Sequence, residues 1–207
     1  MDKEKKLIKV YGGGKSLLLS LENTREHWEE EKDKININLK NQIAREAINL
    51  IKDGDLIYLD IGTTTKQMIK YLNIYNKNLS IITNGYSIAL ELIEQDIDVC
   101  LLGGKLIPST HAIVGELSLK FVDNFYFDKA FIGMNNFIDN HFYTTNIEEA
   151  ILKEKIIQNS KRYFILMDSS KFDKKNKIKV ELKGKQTLIS DEMPNNFNGE
   201  FIKAQYK

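Results

Sequence analysis

Short apolar runs that end in a polar or glycine-bearing turn and then give way to a helical pattern recur along this chain, and few folds accommodate that rhythm. The sharpest instance is Leu56-Ile57-Tyr58-Leu59-Asp60-Ile61-Gly62-Thr63-Thr64-Thr65. Its apolar residues predict a buried strand. The acid and glycine predict a turn, and Met68, Ile69 and Leu72 behind the threonines predict a helix. Such a turn sets backbone N–H groups beside hydroxyl donors where a helix dipole adds positive charge, which suits an anion such as phosphate. For one such loop alone, an ordinary βα turn with threonine capping is the better explanation; later segments shift that balance.

The rhythm continues on both sides. Ile43, Ala44, Ala47, Ile48 and Ile51 fall at helical spacing and Asp53-Gly54-Asp55 closes that helix. Ile81-Ile82 heads a strand ending in Thr83-Asn84-Gly85, with a helix carrying Ile88, Ala89, Leu92 and Ile93. Val99 to Leu102 is a strand stopped by Gly103-Gly104-Lys105, and Leu117, Phe121 and Val122 mark a helix. Ala130-Phe131-Ile132 ends in Gly133. Asn146 is an N-cap with Glu149 in the reciprocal position, heading a helix through Ile151, Ile156 and Ile157. Tyr163 to Met167 leads into Asp168-Ser169-Ser170-Lys171, and Thr187-Leu188-Ile189 is the last predicted strand. Strands apolar throughout, alternating with helices, predict an α/β fold: a mostly parallel, Rossmann-like sheet with helices on both faces. The polar strand ends then share one sheet edge, where open α/β sheets bind ligands.

A chain of 207 residues with 42% hydrophobic and 29% charged residues can bury a sizeable core. A net charge of +1, with both signs interspersed, gives no basic face for nucleic acid. Cys100 is the sole cysteine, so no intrachain disulfide forms; the thiol reads as a small buried hydrophobe in a reducing compartment. The N-terminus lacks the apolar segment of a signal peptide and no run is long enough to span a bilayer, so no membrane partner and a cytoplasmic location are expected. Residues 1–38 do not resemble a domain: Leu7 to Tyr11 is a short strand, Gly12-Gly13-Gly14-Lys15-Ser16 a bend, and the polar stretch around Trp28 a linker or a surface helix. The bend is no nucleotide P-loop, because Lys9 stands where that motif needs its first glycine. The expected organisation is a junction over 1–38, one α/β unit over 39–192 and a polar tail over 193–207.

Phosphate recognition needs N–H donors, hydroxyls and a cation. Residues 60–65 supply the first two, and Lys105, Lys153 and Lys171 are the candidate cations, each weighed against an ordinary solvated role. Lys153 has the strongest case, one helical turn beyond Glu149. Asp60, Glu149 and Asp168 can bind sugar hydroxyls or act as bases, and can equally cap helices or pin loops. No metal or cofactor is expected: His27, His111 and His141 are isolated, the dinucleotide glycine turn is absent, and no glycine-flanked nucleophile occurs.

In order, Asp60-Ile61-Gly62-Thr63-Thr64, Thr83-Asn84, Gly103-Gly104, Phe131-Ile132-Gly133, Glu149-Ala150-x-x-Lys153, Asp168-Ser169-Ser170-Lys171-Phe172 and Leu188-Ile189-Ser190-Asp191 resemble the sensor domain of DeoR/GlpR-type bacterial transcriptional regulators. Upstream, Lys40-x-x-Ile43-Ala44 and Asp53-Gly54-Asp55 fit the leading helix and turn of that family, and Leu7 to Gly13 looks like its junction with the DNA-binding head. The likeness covers residues 40–191. It implies a fold related to ribose-5-phosphate isomerase, a non-enzymatic role, a phosphorylated-sugar effector, a homo-oligomer, and operator DNA reached only through a winged helix-turn-helix that does not precede the junction here. Carried across, Asp60, Gly62, Thr63, Thr64 and Thr65 would form the phosphate loop. Thr83, Asn84, Gly103, Gly104 and Lys105 would line adjacent strand ends, and Glu149, Lys153, Asp168 and Lys171 would face the ligand. The chain departs from the family at Asn136 and Phe142, where glycine is frequent, so the bulk of Phe142 bears on the pocket's shape. A sugar-phosphate isomerase is the catalytic alternative; the related isomerases place paired acids where this chain has Met134-Asn135-Asn136, and an amide cannot take a carbon-bound proton. A ligand-free interaction module is the third reading.

Overall fold

The computed structural model describes residues 33–72, 78–174 and 178–205; the strand, glycine bend and tryptophan-bearing linker expected within 1–32 lie outside them. The first helix, α1 (Ile37–Ile48), buries Ile43, Ala44, Ala47 and Ile48 along one face. It starts at Asn36, a left-handed residue (φ 53°) whose side chain donates to Asp168 Oδ1 (3.0 Å) instead of capping its own helix. The chain turns at Gly54 (φ +77°) into β1 (Leu56–Leu59), the hub of the sheet. Successive side chains of β1 point to opposite faces, yet Ile57, Tyr58 and Leu59 are all fully buried, so both faces are covered.

From β1 the chain steps outward through β2 (Ser80–Thr83) and β3 (Val99–Leu101). It then returns to the other side of β1 with β6 (Phe127–Gly133), after a two-residue-stranded hairpin of β4 (Lys105–Leu106) and β5 (Ile113–Val114). Beyond β6 lie β9 (Ser160–Leu166), β11 (Thr187–Ser190) and β12 (Glu200–Lys203). The order β12-β11-β9-β6-β1-β2-β3 makes a seven-stranded sheet, and every pairing within it is parallel. Its direction of winding reverses between β1 and β6, the position at which doubly wound sheets open a crevice. Phe131 of β6 stacks on Phe164 of β9 at 5.4 Å, and burying each ring stabilises the fold by about 2–3 kcal/mol.

Several details depart from the sequence reading. The helix expected after Gly62 is two four-residue pieces, α2 (Thr63–Lys66) and α3 (Ile69–Leu72). Three successive β-branched residues are poor helix formers, and Thr65 Oγ1 bonds back to the carbonyls of Asp60 (2.7 Å) and Gly62 (2.8 Å). Of the stretch expected as a polar tail, Glu200–Lys203 pairs with β11 as the edge strand β12. Cys100 is exposed, because β3 is the opposite edge and turns that side chain to solvent. A small antiparallel sheet of β7 (Asn136–Ile138), β8 (His141–Thr144) and β10 (Ile178–Val180) was not anticipated. Its hairpin turns at Asp139 and Asn140, both left-handed. Phe142 sits in that sheet, packed on Phe137 (4.8 Å) and Phe197 (6.2 Å), and does not shape the cavity described below. The remaining helices are α4 (Tyr86–Glu94), α5 (Glu116–Val122) and α6 (Ile147–Gln158).

Candidate functional site

Where β1 and β6 end side by side, two turns are held together by one carboxylate. The Asp60 N–H donates to Phe131 O (3.0 Å), and Asp60 Oδ2 accepts from Gly133 N (2.9 Å) and from Lys153 Nζ, delivered by α6. Burial pushes the Asp60 carboxyl above its ordinary value of 3.8, against the pull of Lys153 and the Gly133 N–H. The two turns pass so closely that a Cβ on Gly62 would lie 3.1 Å from Thr65 Oγ1 and 3.8 Å from Gly133 Cα.

Above this knot opens a cavity of about 560 Å³, its mouth included. Gly62, Thr63, Thr64, Glu149, Lys153 and Lys171, all expected from sequence, are brought together on its wall. Thr64 is 2% exposed, and its hydroxyl has no hydrogen-bond partner among the described residues. Asn146 caps α6 as expected, accepting from the N–H groups of Glu148 (2.8 Å) and Glu149 (3.1 Å). The Glu149 carboxylate turns to the cavity, where Oε1 accepts from Thr110 Oγ1 at 2.7 Å.

The other expected residues stand behind or beside the cavity. Asp60 anchors Lys153 from below, and Thr65 spends its hydroxyl on the backbone. Thr83 donates to Leu59 O (2.6 Å) and accepts from Gly85 N (3.0 Å), fastening β2 to β1. Asn84 Oδ1 accepts from Ile61 N (2.9 Å), holding the turn in shape. Gly103 gives its carbonyl to Ser118 Oγ (2.8 Å). At Gly104 (φ +151°) an added Cβ would fall 2.4 Å from Val114 O, so only glycine lets the chain enter the β4–β5 hairpin. Lys105 is exposed and pairs with Glu148 at 2.6 Å. These seven residues, Asp60 and Thr65 included, support the cavity and do not line it. Asp168 lies to one side: burial pushes its carboxyl up, but Lys171, Ser170, Asn36 and Lys40 outweigh that push and leave it below 3.8.

Sequence reasoning missed Thr110, Asn135 and Thr145 on the wall. Thr110 rides a hairpin whose strands have two residues each, too short for any alternation to show. Asn135 follows a recognised strand end but carries no charge to single it out; its Oδ1 accepts from Thr144 Oγ1 at 3.0 Å.

Against known proteins, residues 35–192 match the model of the DeoR C-terminal sensor domain. The chain belongs to that family. The uncharacterized HTH-type transcriptional regulator FruR of Bacillus subtilis is 41% identical over 143 residues, 69% of this chain and 57% of that protein. The lactose phosphotransferase system repressor of Staphylococcus epidermidis is 35% identical over 171 residues, 81% of this chain and 66% of the repressor. The DeoR sensor region here thus spans between about half and two thirds of these regulators' length. Among solved structures, ribose 5-phosphate isomerase A of Methanocaldococcus jannaschii aligns with a TM-score of 0.50 at 20% identity, over 66% of this chain and 55% of the enzyme. eIF2B delta of Chaetomium thermophilum aligns with a TM-score of 0.52 at 16% identity, over 67% of this chain and 49% of that one. At those identities the likeness speaks for the fold of a DeoR sensor domain and for nothing beyond it. No helix among its described residues is long and apolar enough to cross a membrane.

Proposed function

We propose that this DeoR sensor domain binds a phosphorylated sugar in the cavity at the β1–β6 seam and is the effector-binding, self-associating part of a repressor of carbohydrate genes. The observation that carries the reading is the buried, unpartnered Thr64 hydroxyl on a wall that also holds Lys153 and Lys171. A buried polar atom without a partner costs about 1–3 kcal/mol, and an incoming phosphate oxygen would recover it. Glu149, Thr145 and Asn135 offer acceptors and donors for sugar hydroxyls on the same wall. Among the regulators it resembles is a lactose phosphotransferase system repressor, which supports the choice of ligand class.

Operator DNA would be contacted by a helix-turn-helix of the kind those regulators' names carry, and the ligand would act by favouring one arrangement of sensor and head over another. Self-association is supported by the exposed apolar Leu117, Ile147 and Ile151 on α5 and α6, which touch one another. Catalysis is not part of the proposal: the relatives are transcriptional regulators by name, and the carboxylate on the cavity wall, Glu149, is engaged by Thr110.

Calorimetry with glucose 6-phosphate, fructose 1-phosphate, fructose 6-phosphate and ribose 5-phosphate is expected to give binding by at least one, and none by the unphosphorylated parents. Equal binding of ester and parent, or no binding at all, sinks the proposal. Sedimentation of the same samples is expected to show an oligomer, and ribose 5-phosphate is expected to be recovered unchanged.

A further inference from the structure

Two threonines on the cavity wall have committed their protons differently. Thr64 stands in α2, and Thr110 stands in the loop between β4 and β5. A threonine hydroxyl has one proton to give and lone pairs with which to receive. Thr64 Oγ1, deeply buried, gives its proton to no partner among the described residues. Thr110 Oγ1 gives its proton to Glu149 Oε1 at 2.7 Å. Thr64 therefore still has a donor to offer a ligand. Thr110 can only accept.

The backbone holds both threonines in place, and one residue serves both. Asn84 O accepts from Ile113 N (2.7 Å) and His111 O accepts from Tyr86 N (3.0 Å), so the β4–β5 hairpin is fastened to the end of β2. Within the loop, Ile107 N donates to Ala112 O (2.8 Å) and His111 N donates to Ile107 O (2.8 Å), with His111 left-handed (φ 56°) directly after Thr110. The Asn84 side chain meanwhile holds the turn that leads to Thr64, through Oδ1 and Ile61 N. Thr110 thus keeps its place at the cavity without depending on its bond to Glu149.

A phosphosugar has ends of opposite hydrogen-bonding character. The outer oxygens of its phosphate are acceptors, and its hydroxyls can donate. Resting on the phosphosugar reading above, we infer that Thr110 is a ligand-binding residue that reads a sugar hydroxyl: its oxygen accepts from an O–H on the carbon chain away from the phosphate, while Thr64 donates to a phosphate oxygen. The two threonines together set which way round the ligand lies. The ligand class narrows to phosphate monoesters that carry a free hydroxyl at the hairpin end. A second phosphate or a carboxylate at that end, able only to accept, finds no donor in Thr110.

The test measures affinities of the whole chain for inorganic phosphate, for the tightest-binding phosphosugar of the panel above, and for the singly deoxygenated analogues of that sugar, in wild type, Thr110→Val and Thr64→Val. Thr110→Val is expected to weaken the phosphosugar about tenfold and to leave inorganic phosphate within about twofold, whereas Thr64→Val is expected to weaken both. In wild type one deoxy analogue is expected to bind about tenfold more weakly than its parent, and in Thr110→Val that analogue and its parent are expected to bind alike. A threonine that merely supported Glu149 would not make the two converge. Deoxy analogues that lose the same factor in both proteins overturn the inference and leave the sensor reading intact. So does a Thr110→Val that leaves the phosphosugar unaltered or weakens phosphate equally. A wild type that binds no phosphosugar overturns both. Where Thr110→Val does not fold, Thr110→Ala takes its place with the same expectations.

Discussion

Two aspartate–lysine pairs clamp the same central strands at opposite ends, and they behave differently. At the N-terminal end Asp55 meets Lys129 of β6 and also accepts from Lys52 N, while its own carbonyl takes Ser80 N (3.2 Å) to start β2. At the C-terminal end Asp60 meets Lys153, accepts from Gly133 N, and has a cavity over it. Burial pushes the Asp55 carboxyl up, yet Lys129 and the Lys52 N–H pull harder and leave it below 3.8; for Asp60 burial wins. Side-chain exposure accounts for the contrast: about a tenth remains accessible in the first pair (11% and 10%), against 4% and 1% in the second. One end is fastened cheaply with water at hand. The other is built dry, at a cost in stability that the proposed ligand site would account for.

The largest expected effect follows from removing each cation. Lys153→Met strands a charge in the interior and is expected to cost about 3–5 kcal/mol in urea unfolding. Lys129→Met leaves Asp55 within reach of solvent and is expected to cost about 1–3 kcal/mol. Equal losses would erase the distinction.

A finer separation comes from pH, because the two acids shift in opposite directions. Asp55 lies below its ordinary value of 3.8 in the folded chain, so its contribution is fully present above that value and is lost as pH falls through the folded value. Asp60 lies above 3.8, so its contribution relative to a neutral amide is fully present below 3.8 and is lost as pH rises through the raised value. Stability measured from pH 3 to 8 should therefore show the wild type gaining on Asp55→Asn, and Asp60→Asn gaining on the wild type, as pH rises. Slopes of one sign would break the comparison.

Least of all in stability, Thr64→Val removes an unpartnered hydroxyl and is expected to leave folding unchanged or raise it by up to about 1 kcal/mol. The same substitution is expected to weaken the effector about tenfold, about 1.4 kcal/mol. Unchanged affinity in a calorimeter would take Thr64 out of the site.

Much of this was legible before any coordinates, and the reason is local. Ile57, Leu59, Ile81, Ile82 and Phe131 belong to strands buried on both faces, so the apolar run itself announces the strand. Glu149 and Lys153 lie one helical turn apart on a capped helix, which puts both on one face without knowledge of the rest. What escaped was set by tertiary context. Thr110 reaches the cavity only because the β4–β5 hairpin folds over the seam and offers it Glu149. Thr83 closes β2 and gives its hydroxyl to Leu59 O, whereas Thr64 sits in α2 with its hydroxyl left open, a difference that neighbours brought in by the fold decide.

The reversal of winding between β1 and β6 divides the domain into a half built from β1 to β3 and a half built from β6 onward, and the cavity straddles their border. A molecule held there as proposed, by Thr64 on one side and by Glu149 and Lys171 on the other, would be a stitch across that border. Its binding free energy would oppose any parting of the halves, so occupancy would change how cooperatively the domain opens as well as how firmly it closes.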